Sequence, residues 1–202
     1  MAAVDLTASG APRQWVQEGR VWQGFGGVLT TPESGWATDL VRQTPIFYIR
    51  VPAGRVIVPI YGNASPEATG AAVLQMLVSV CNNDIGTSNA VALTPVNVNT
   101  RYAAVASSVL AYATVTGATG TAPTNVADLW RVYQQVDNDA ITGSQTPPFE
   151  YDPFKGKGIP CVVGSASIVH TYMFYFANGT SSTGFHIHAW AEWSYDEFYG
   201  LV

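Results

Sequence analysis

Apolar and polar residues alternate with a period of two along most of this chain, and clusters of Gly, Pro and Asn separate the alternating runs. Side chains that alternate in this way point to opposite faces of a β-strand, so each run predicts a strand. The predicted strands cover residues 21–29, 45–51, 56–61, 71–80, 90–94, 102–115, 159–163, 167–176 and 185–195. No helix-length pattern separates these strands at regular intervals, which argues against parallel βαβ units and leaves an antiparallel sandwich or barrel.

Residues 125–136 fit two kinds of secondary structure. Leu129, Val132 and Val136 follow helical spacing, and the segment begins with an asparagine, a residue type that caps helices. Alternation from Trp130 to Val136 would suit a strand equally well. We predict a short helix here, with a strand as the alternative.

The longest alternation lies near the C-terminal end of the sequence. Residues 167–176 and 185–195 flank a turn-rich connector, so we predict that they pair as a β-hairpin. The face that we expect to be buried carries Tyr172, Phe174, Phe185 and Ile187. The opposite face, which we expect to meet solvent or a neighbouring subunit, carries Met173, Tyr175, His186 and His188.

The surface of the folded chain must be built from few charges. Only 11% of the 202 residues are charged, and the net charge is −5. A surface of uncharged polar groups suits a protein packed among neighbours, although a large β core would dilute charge in the same way. The lysines and arginines do not form the clusters that nucleic-acid phosphates require, so we predict no direct contact with nucleic acid.

Features of membrane and secreted proteins are not found in the sequence. No apolar run approaches the ~20 residues that a membrane-spanning helix needs. The first residues lack a basic region followed by an apolar one, which would mark a secretory signal. We therefore expect a soluble protein made in a cytoplasm, with Cys81 and Cys161 as buried thiols instead of a disulfide.

Complete catalytic motifs are also missing. The sequence contains no GxSxG, no GxxxxGK[ST] and no CxxC motif. It therefore lacks the residues on which nucleophile-elbow hydrolases, P-loop enzymes and thioredoxin-like proteins depend. We therefore predict that the chain is not an enzyme and binds no cofactor.

His186, His188 and Glu192 are the residues most suggestive of a metal site. Two histidines two residues apart on a strand point to the same side, which is the convergence that transition metals need. The segment 186–192, HIHAWAE, resembles the first motif of the cupin family, in which two histidines and a glutamate bind a metal inside a jelly roll. The cupin second motif, with its further histidine, is not found, and His170 is expected on the opposite face. We therefore predict no functional metal.

Aromatic residues crowd the first forty positions. Trp15, Trp22, Phe25 and Trp36 are separated by Gly and polar residues, so they cannot form one face of a single strand. Such residues carry much of the energy of protein interfaces, although they would equally well cover the ends of a sandwich. We predict that residues 1–40 are an extension that contacts other subunits and that residues 41–202 form the β domain.

The pattern of the whole chain resembles the single jelly-roll structural proteins of virions. The resemblance rests on eight or nine antiparallel strands, low charge, many Thr, Ala, Gly and Asn residues, and long loops. The segment 47–60, FYIRVPAGRVIVPI, is similar to strand-turn-strand segments of phage structural proteins. The resemblance implies an all-β, antiparallel, jelly-roll-like sandwich of about eight or nine strands with at most one short helix.

The same resemblance implies a structural function within a virus particle. The first twelve residues contain Asp5 and no Lys or Arg, unlike the basic arms that many shell proteins place on packaged RNA. We therefore favour a decoration or minor capsid protein narrowly over a major capsid protein. Its partners would be further copies of itself, in a trimer, and other capsid proteins.

The alternative is a carbohydrate-binding or receptor-binding fibre-head domain, since jelly rolls also host lectins. A cupin-like metal-binding protein is the more remote alternative.

Overall fold

A computed structural model describes residues 10–27, 33–36, 39–66, 72–113, 116–136, 149–177 and 182–201. Strands dominate these residues, and the helices are short. The strands are β1 (Val21–Gly26), β2 (Glu33–Trp36), β3 (Phe47–Val51), β4 (Arg55–Pro66), β5 (Ala72–Cys81), β6 (Val91–Leu93), β7 (Val96–Asn97), β8 (Leu110–Ala113), β9 (Ala127–Val136), β10 (Phe149–Tyr151), β11 (Val163–Ser165), β12 (His170–Ala177) and β13 (Ser182–Ser194). The helices are α1 (Ala11–Gln17) and α2 (Tyr195–Phe198), with 3₁₀ turns at Thr100–Tyr102 and Pro153–Lys155.

The described strands form two antiparallel sheets. The seven-stranded sheet has the order β10-β4-β13-β1-β7, with β11 added to β4 and β2 added to β13. The six-stranded sheet has the order β6-β8-β3-β12-β5-β9. This arrangement confirms the predicted all-β sandwich. No helix among the described residues is long and apolar enough to cross a membrane.

The pairing of the principal strands is that of a jelly roll. In chain order the eight principal strands are β1, β3, β4, β5, β9, β10, β12 and β13. The first pairs with the last, the second with the seventh, the third with the sixth, and the fourth with the fifth. A long antiparallel ribbon that is rolled up into two facing sheets produces these pairs. The fold is therefore a jelly-roll-like sandwich.

Buried side chains lie in three layers. The main core fills the space between the sheets and includes Phe47, Phe174 and Trp190, each with 0% of its surface exposed. A second cluster lies on the outer face of the seven-stranded sheet, where Trp15 of α1 and Phe198 of α2 cover it. A third cluster covers the outer face of the six-stranded sheet. Its members are Tyr48, Leu77, Cys81, Ile85, Tyr112, Met173 and Tyr175.

The predicted C-terminal hairpin does not form. β12 pairs with β3 and β5 in the six-stranded sheet, whereas β13 pairs with β1, β2 and β4 in the other. The connector between Ala177 and Ser182 therefore joins two sheets instead of two neighbouring strands, and residues 178–181 lie outside the described residues. The two strands face each other across the core.

The predicted faces of these two strands are partly wrong. Tyr172 and Phe174 are in the main core, as predicted, but Met173 and Tyr175 are buried as well, in the cluster on the opposite face. On β13 the alternation is correct and the orientation is inverted, since the even-numbered residues face the core. The even-numbered set comprises His186, His188, Trp190 and Glu192, all buried.

Residues 125–136 adopt the alternative structure. Ala127–Val136 is strand β9, which pairs with β5 along almost its whole length, so the predicted helix is wrong. Two strand predictions fail for most of their length. Among the described residues of 102–115 only Leu110–Ala113 is a strand, and β11 begins at Val163, where the strand predicted at 159–163 ends. Cys81 and Cys161 are free thiols, as expected, and Cys81 is buried whereas Cys161 is only partly buried.

The described part of residues 1–40 is built into the sandwich. β1 lies between β13 and β7, Trp22 belongs to the main core, and Trp15 belongs to the cluster under α1. With 4% and 6% of their surfaces exposed, Trp15 and Trp22 are core residues, and their assignment to an intersubunit contact is wrong. Phe25 is 47% exposed, so its predicted contact stays a prediction. The side chain of Trp36 lies outside the described part of the chain.

Candidate functional site

The two histidines of the HxH segment lie in the core between the sheets. Each has 1% of its surface exposed, and Nε2 of His188 lies 3.1 Å from Nδ1 of His186. The ring of His188 is stacked on Phe47, with the centroids 3.8 Å apart, and it makes a T-shaped contact with Phe174, with the centroids 4.5 Å apart. Gly62 of β4 has no side chain and so leaves space for the ring, because a Cβ atom there would lie 3.1 Å from Nδ1 of His188.

Burial decides the charge of His188. Removal from water, and then the neighbouring His186, hold the pKa of His188 well below its usual value of 6.5. A neutral imidazole has one N–H donor and one acceptor nitrogen, so the contact between the two rings is a hydrogen bond. The pair therefore behaves as a packed core element with one internal polar contact.

Glu192 faces the same side of β13 but is bonded elsewhere. Its Oε1 accepts hydrogen bonds from Ser107 Oγ at 2.5 Å and from Trp190 Nε1 at 2.8 Å. Its Oε2 accepts from the backbone N–H and the hydroxyl of Ser108, both at 2.7 Å. A carboxylate offers about four acceptor positions, and all of them are used here.

The cupin-like set is therefore not assembled as a ligand group. His186 and His188 bond to each other, while Glu192 binds the segment that contains Ser107 and Ser108. In the described ranges no three His, Cys, Asp or Glu side chains are close enough to share a metal ion. Metal analysis of the purified protein is the test of the prediction that the chain binds none.

Glu192 forms part of a cavity of about 390 Å³ at one end of the seven-stranded sheet. The chain segments that line it are β1 and the turn before it, the first residue of β4, residues 102–108, and the end of β13 with α2. The lining residues with chemical significance are Arg20, Trp22, Arg55, Tyr102, Ser108 and Glu192. Because Glu192 bonds to Ser107 and Ser108, it fixes one wall of the cavity to β13.

Arg20 organises a second wall. Its Nε donates to Glu18 at 3.0 Å, and its Nη2 donates to Glu197 of α2. The guanidinium also lies over the ring of Trp193, 5.7 Å from the centroid, within the range of a cation–π contact. These contacts hold α2 against the turn that precedes β1.

Tyr102 packs on the same turn. Gly19 has φ +73°, and a Cβ atom there would lie 2.3 Å from Cδ2 of Tyr102. Glycine is required on both grounds, because it adopts positive φ without strain and it leaves space for the ring. The ring of Tyr102 is thereby held at the cavity with 36% of the residue exposed.

Comparison of the chain with protein-family models, with curated proteins and with solved structures gave no significant match to any of them. The cavity is therefore interpreted from its own geometry. Of its chemically significant residues, the sequence analysis had singled out Trp22 and Glu192, for different roles. Arg20, Arg55, Tyr102 and Ser108 belong to no recognised motif, and they come from distant parts of the chain.

Acidification should destabilise the fold through His188. The unfolded chain binds a proton at this residue near its usual pKa of 6.5, whereas the folded chain, with a lower pKa, does not. The free energy of unfolding should therefore fall as the pH drops below about 6.5, by up to ~1.4 kcal/mol per pH unit. Urea unfolding between about pH 5 and pH 8 measures this slope.

Two substitutions identify the source of that slope. His188→Gln should flatten it between about pH 5 and 6.5. His170→Gln should leave most of it in place, because burial also lowers the pKa of His170 but this residue is only partly buried. A His188→Gln variant that keeps the full slope would show that another group takes up the proton.

Proposed function

We propose that this chain is a structural subunit of a virion, which forms or decorates an icosahedral shell through contacts between subunits. Jelly rolls occur in capsid proteins and also in lectins and cupins, so the fold class by itself does not choose among them. What supports the proposal is the surface of the sandwich, and one apolar patch in particular.

The patch lies on the outer face of the seven-stranded sheet. Phe25 of β1 is directly opposite Ile187 of β13, and Val96 of β7 is opposite Gln23, the next residue on that face of β1. These side chains point away from the core, because Trp22 and Gly24 on the same strand face inward. We call Phe25, Ile187 and Val96 the outer patch.

The outer patch begins where the helices stop covering this face. On the same face α1 and α2 bury Val21, Ala191 and Trp193, whereas Phe25 is 47% and Val96 is 54% exposed. Contiguous exposed apolar patches often mark the site of contact with another protein. A contact with another subunit explains the patch, and we expect a symmetric oligomer, a trimer.

Charge supports a position away from nucleic acid. The chain has nine basic and fourteen acidic residues. Arg20, Arg42 and Arg50 are paired with carboxylates of the same chain, which further reduces the positive charge offered to phosphates. The partners that fit are copies of this chain and other capsid proteins, on the outer side of a shell.

Removal of the outer patch should dissociate the oligomer. Phe25→Ser takes the largest exposed ring from the patch and should shift the sedimenting species from oligomer to monomer, with little change in thermal stability. Tyr133→Ser is the matched control, since Tyr133 is 64% exposed on β9 of the other sheet. Sedimentation velocity of both variants and the parent chain makes the comparison. An oligomer that persists in Phe25→Ser and dissociates in Tyr133→Ser would place the contact elsewhere.

A further inference from the structure

We propose that the two core histidines, His186 and His188, make the subunit contact at the outer patch sensitive to acid. The inference rests on the proposed function, because it concerns the regulation of the same patch. A proton taken up by the histidine pair opens the end of β1, and Phe25 then leaves the outer patch. Subunits therefore separate at mildly acidic pH, before the sandwich unfolds.

The histidine pair lies directly behind the outer patch. Ile187 of the patch is the residue between the two histidines on β13, with its side chain on the opposite face of the strand. Residues 24–26 of β1 pair with residues 186–188 of β13, and Phe25 is directly opposite Ile187. The same short stretch of ladder therefore carries the histidines on its inner face and the patch on its outer face.

Residues 24–26 are the least supported part of β1. β7 pairs only with Trp22 and Gln23, so among the described strands residues 24–26 are held by β13 alone. Two of these three residues are glycines, which contribute no side-chain packing and lose much conformational entropy when they are ordered. Strand ends with few contacts open locally at a lower free energy than the whole domain.

The same strand end closes the core beside the pair. A Cβ atom at Gly24 would lie 3.3 Å from Cε2 of Phe47, the residue whose ring is stacked on His188. Movement of residues 24–26 away from β13 would therefore bring water to this side of the pair. The same movement would carry Phe25 away from Ile187 and divide the outer patch.

A proton on the pair would have no compensating charge in the closed core. The rings that contact His188 are those of Phe47, Phe174 and His186. Nδ1 of His188 is buried and has no hydrogen-bond partner in the described part of the chain. Because an uncompensated buried charge is costly, a proton on this ring favours a conformation that brings water to it.

The strands around the pair offer little compensation for such a proton. Among the described residues, the other ionisable groups on the core-facing sides of these strands are Arg55, Tyr151, His170, Tyr172 and Glu192. The arginine and the histidine are the first residues of β4 and β12, and both are basic. Burial raises the pKa of both tyrosines, which therefore stay neutral. The carboxylate of Glu192 is already bonded to Ser107, Ser108 and Trp190.

The direction of the pH effect follows from where the proton binds. In the closed sandwich His188 stays neutral, because burial holds its pKa well below 6.5. In the open form water reaches the ring and its pKa returns toward 6.5. Opening is therefore favoured as the pH falls below about 6.5, by up to about tenfold per pH unit. Association weakens in the same direction, because only the closed form presents Phe25 beside Ile187.

Hydrogen exchange of the parent chain tests the opening of β1. Protection of the amides in residues 24–26 is measured at pH 7.5 and pH 5.5 and corrected for the intrinsic exchange rate at each pH. We expect lower protection there than in the central strand β12, and a fall of about tenfold at the lower pH. Residues 91–93, at the edge of the other sheet, are the internal control and should keep their protection. Unchanged protection at 24–26, protection equal to that of β12, or an equal fall at 91–93 would overturn the proposal.

Sedimentation at the same two pH values tests the effect on association. The dissociation constant of the parent oligomer should rise by up to about tenfold at pH 5.5. His188→Gln should remove this rise, whereas His170→Gln, which changes an only partly buried histidine, should keep it. A parent oligomer with the same dissociation constant at both pH values, or a rise that persists in His188→Gln, overturns this inference and leaves the shell function standing. A chain that is monomeric at both pH values overturns both.

Discussion

Replacement of Phe174 by Ala is expected to lower the free energy of unfolding by ~3 to 5 kcal/mol. The side chain has 0% of its surface exposed and lies on the central strand β12, between partner strands β3 and β5. Its ring makes a T-shaped contact with the ring of His188 across the core, so truncation would leave a cavity that both sheets line. A domain of this kind is held together by about 5 to 15 kcal/mol, so the variant should unfold or become barely stable.

Chemical unfolding of Phe174→Ala beside Ile168→Ala measures this cost. Ile168 precedes the same strand and is 46% exposed, so its truncation should change the free energy of unfolding by less than ~1 kcal/mol. A loss below about 1 kcal/mol in Phe174→Ala would mean that Phe174 is not a core residue.

Glu192→Ala should destabilise the protein nearly as much, by about 2 to 5 kcal/mol. The substitution leaves the indole N–H of Trp190, a fully buried residue, and the backbone N–H of Ser108 without their acceptor. Trp190 is fully buried, so its indole N–H cannot turn to water, and an unsatisfied buried donor costs ~1 to 3 kcal/mol. The loss of the hydrogen bonds that the charged carboxylate accepts from Ser107 and Ser108 adds to this cost.

Two comparison variants show whether the loss of stability in Glu192→Ala comes from lost buried hydrogen bonds or from the loss of a negative charge. Glu150→Ala removes a partly exposed carboxylate that pairs with Lys157, and should cost less than ~1 kcal/mol. Glu192→Gln should fall between the two alanine variants, because its amide keeps one acceptor oxygen and places N–H groups against donors. Equal stability of Glu192→Ala and Glu150→Ala, measured in urea, would contradict the role assigned to Glu192.

The fold class was predictable because alternation is a local property. Residues 45–51 and 71–80 match β3 and β5 closely, and 56–61 lies within the longer β4. β3 and the first half of β4 carry runs of β-branched and aromatic residues, whereas β5 alternates Val with Leu, Met and polar residues. Alternation defines two faces of a strand but does not say which face is inside when both carry apolar groups. β12 is buried on both faces, and on β13 the large apolar residues Phe185 and Ile187 lie outside while two histidines lie inside.

Strand pairing was harder to predict than strand position. A turn-rich connector after β12 favours a hairpin, but the same connector also crosses from one sheet to the other in a jelly roll, and local sequence does not distinguish these cases. Residues 125–136 satisfy helical and strand periods together, and pairing with β5 decides between them. For α1, Pro12 at the first turn was a usable signal of a helix start.

The cavity could not have been predicted from the sequence. Glu192 and its partner Ser108 are separated by 84 positions, and Arg20 and Glu197 by 177. Single side chains contributed by distant segments produce no motif, and only the rolled connectivity brings them together. The metal hypothesis arose because His186, His188 and Glu192 are close in sequence, yet the two histidines and the glutamate have different partners in the fold.

Association between subunits is the central claim of this account, and the mass of the native particle tests it most directly. Each chain has a mass of 21.5 kDa, so native mass spectrometry of the purified protein resolves every step of assembly. The account predicts a symmetric closed oligomer, a trimer of three such masses, at micromolar concentration. A single species of 21.5 kDa that persists as the concentration is raised would contradict the proposed function as a shell subunit.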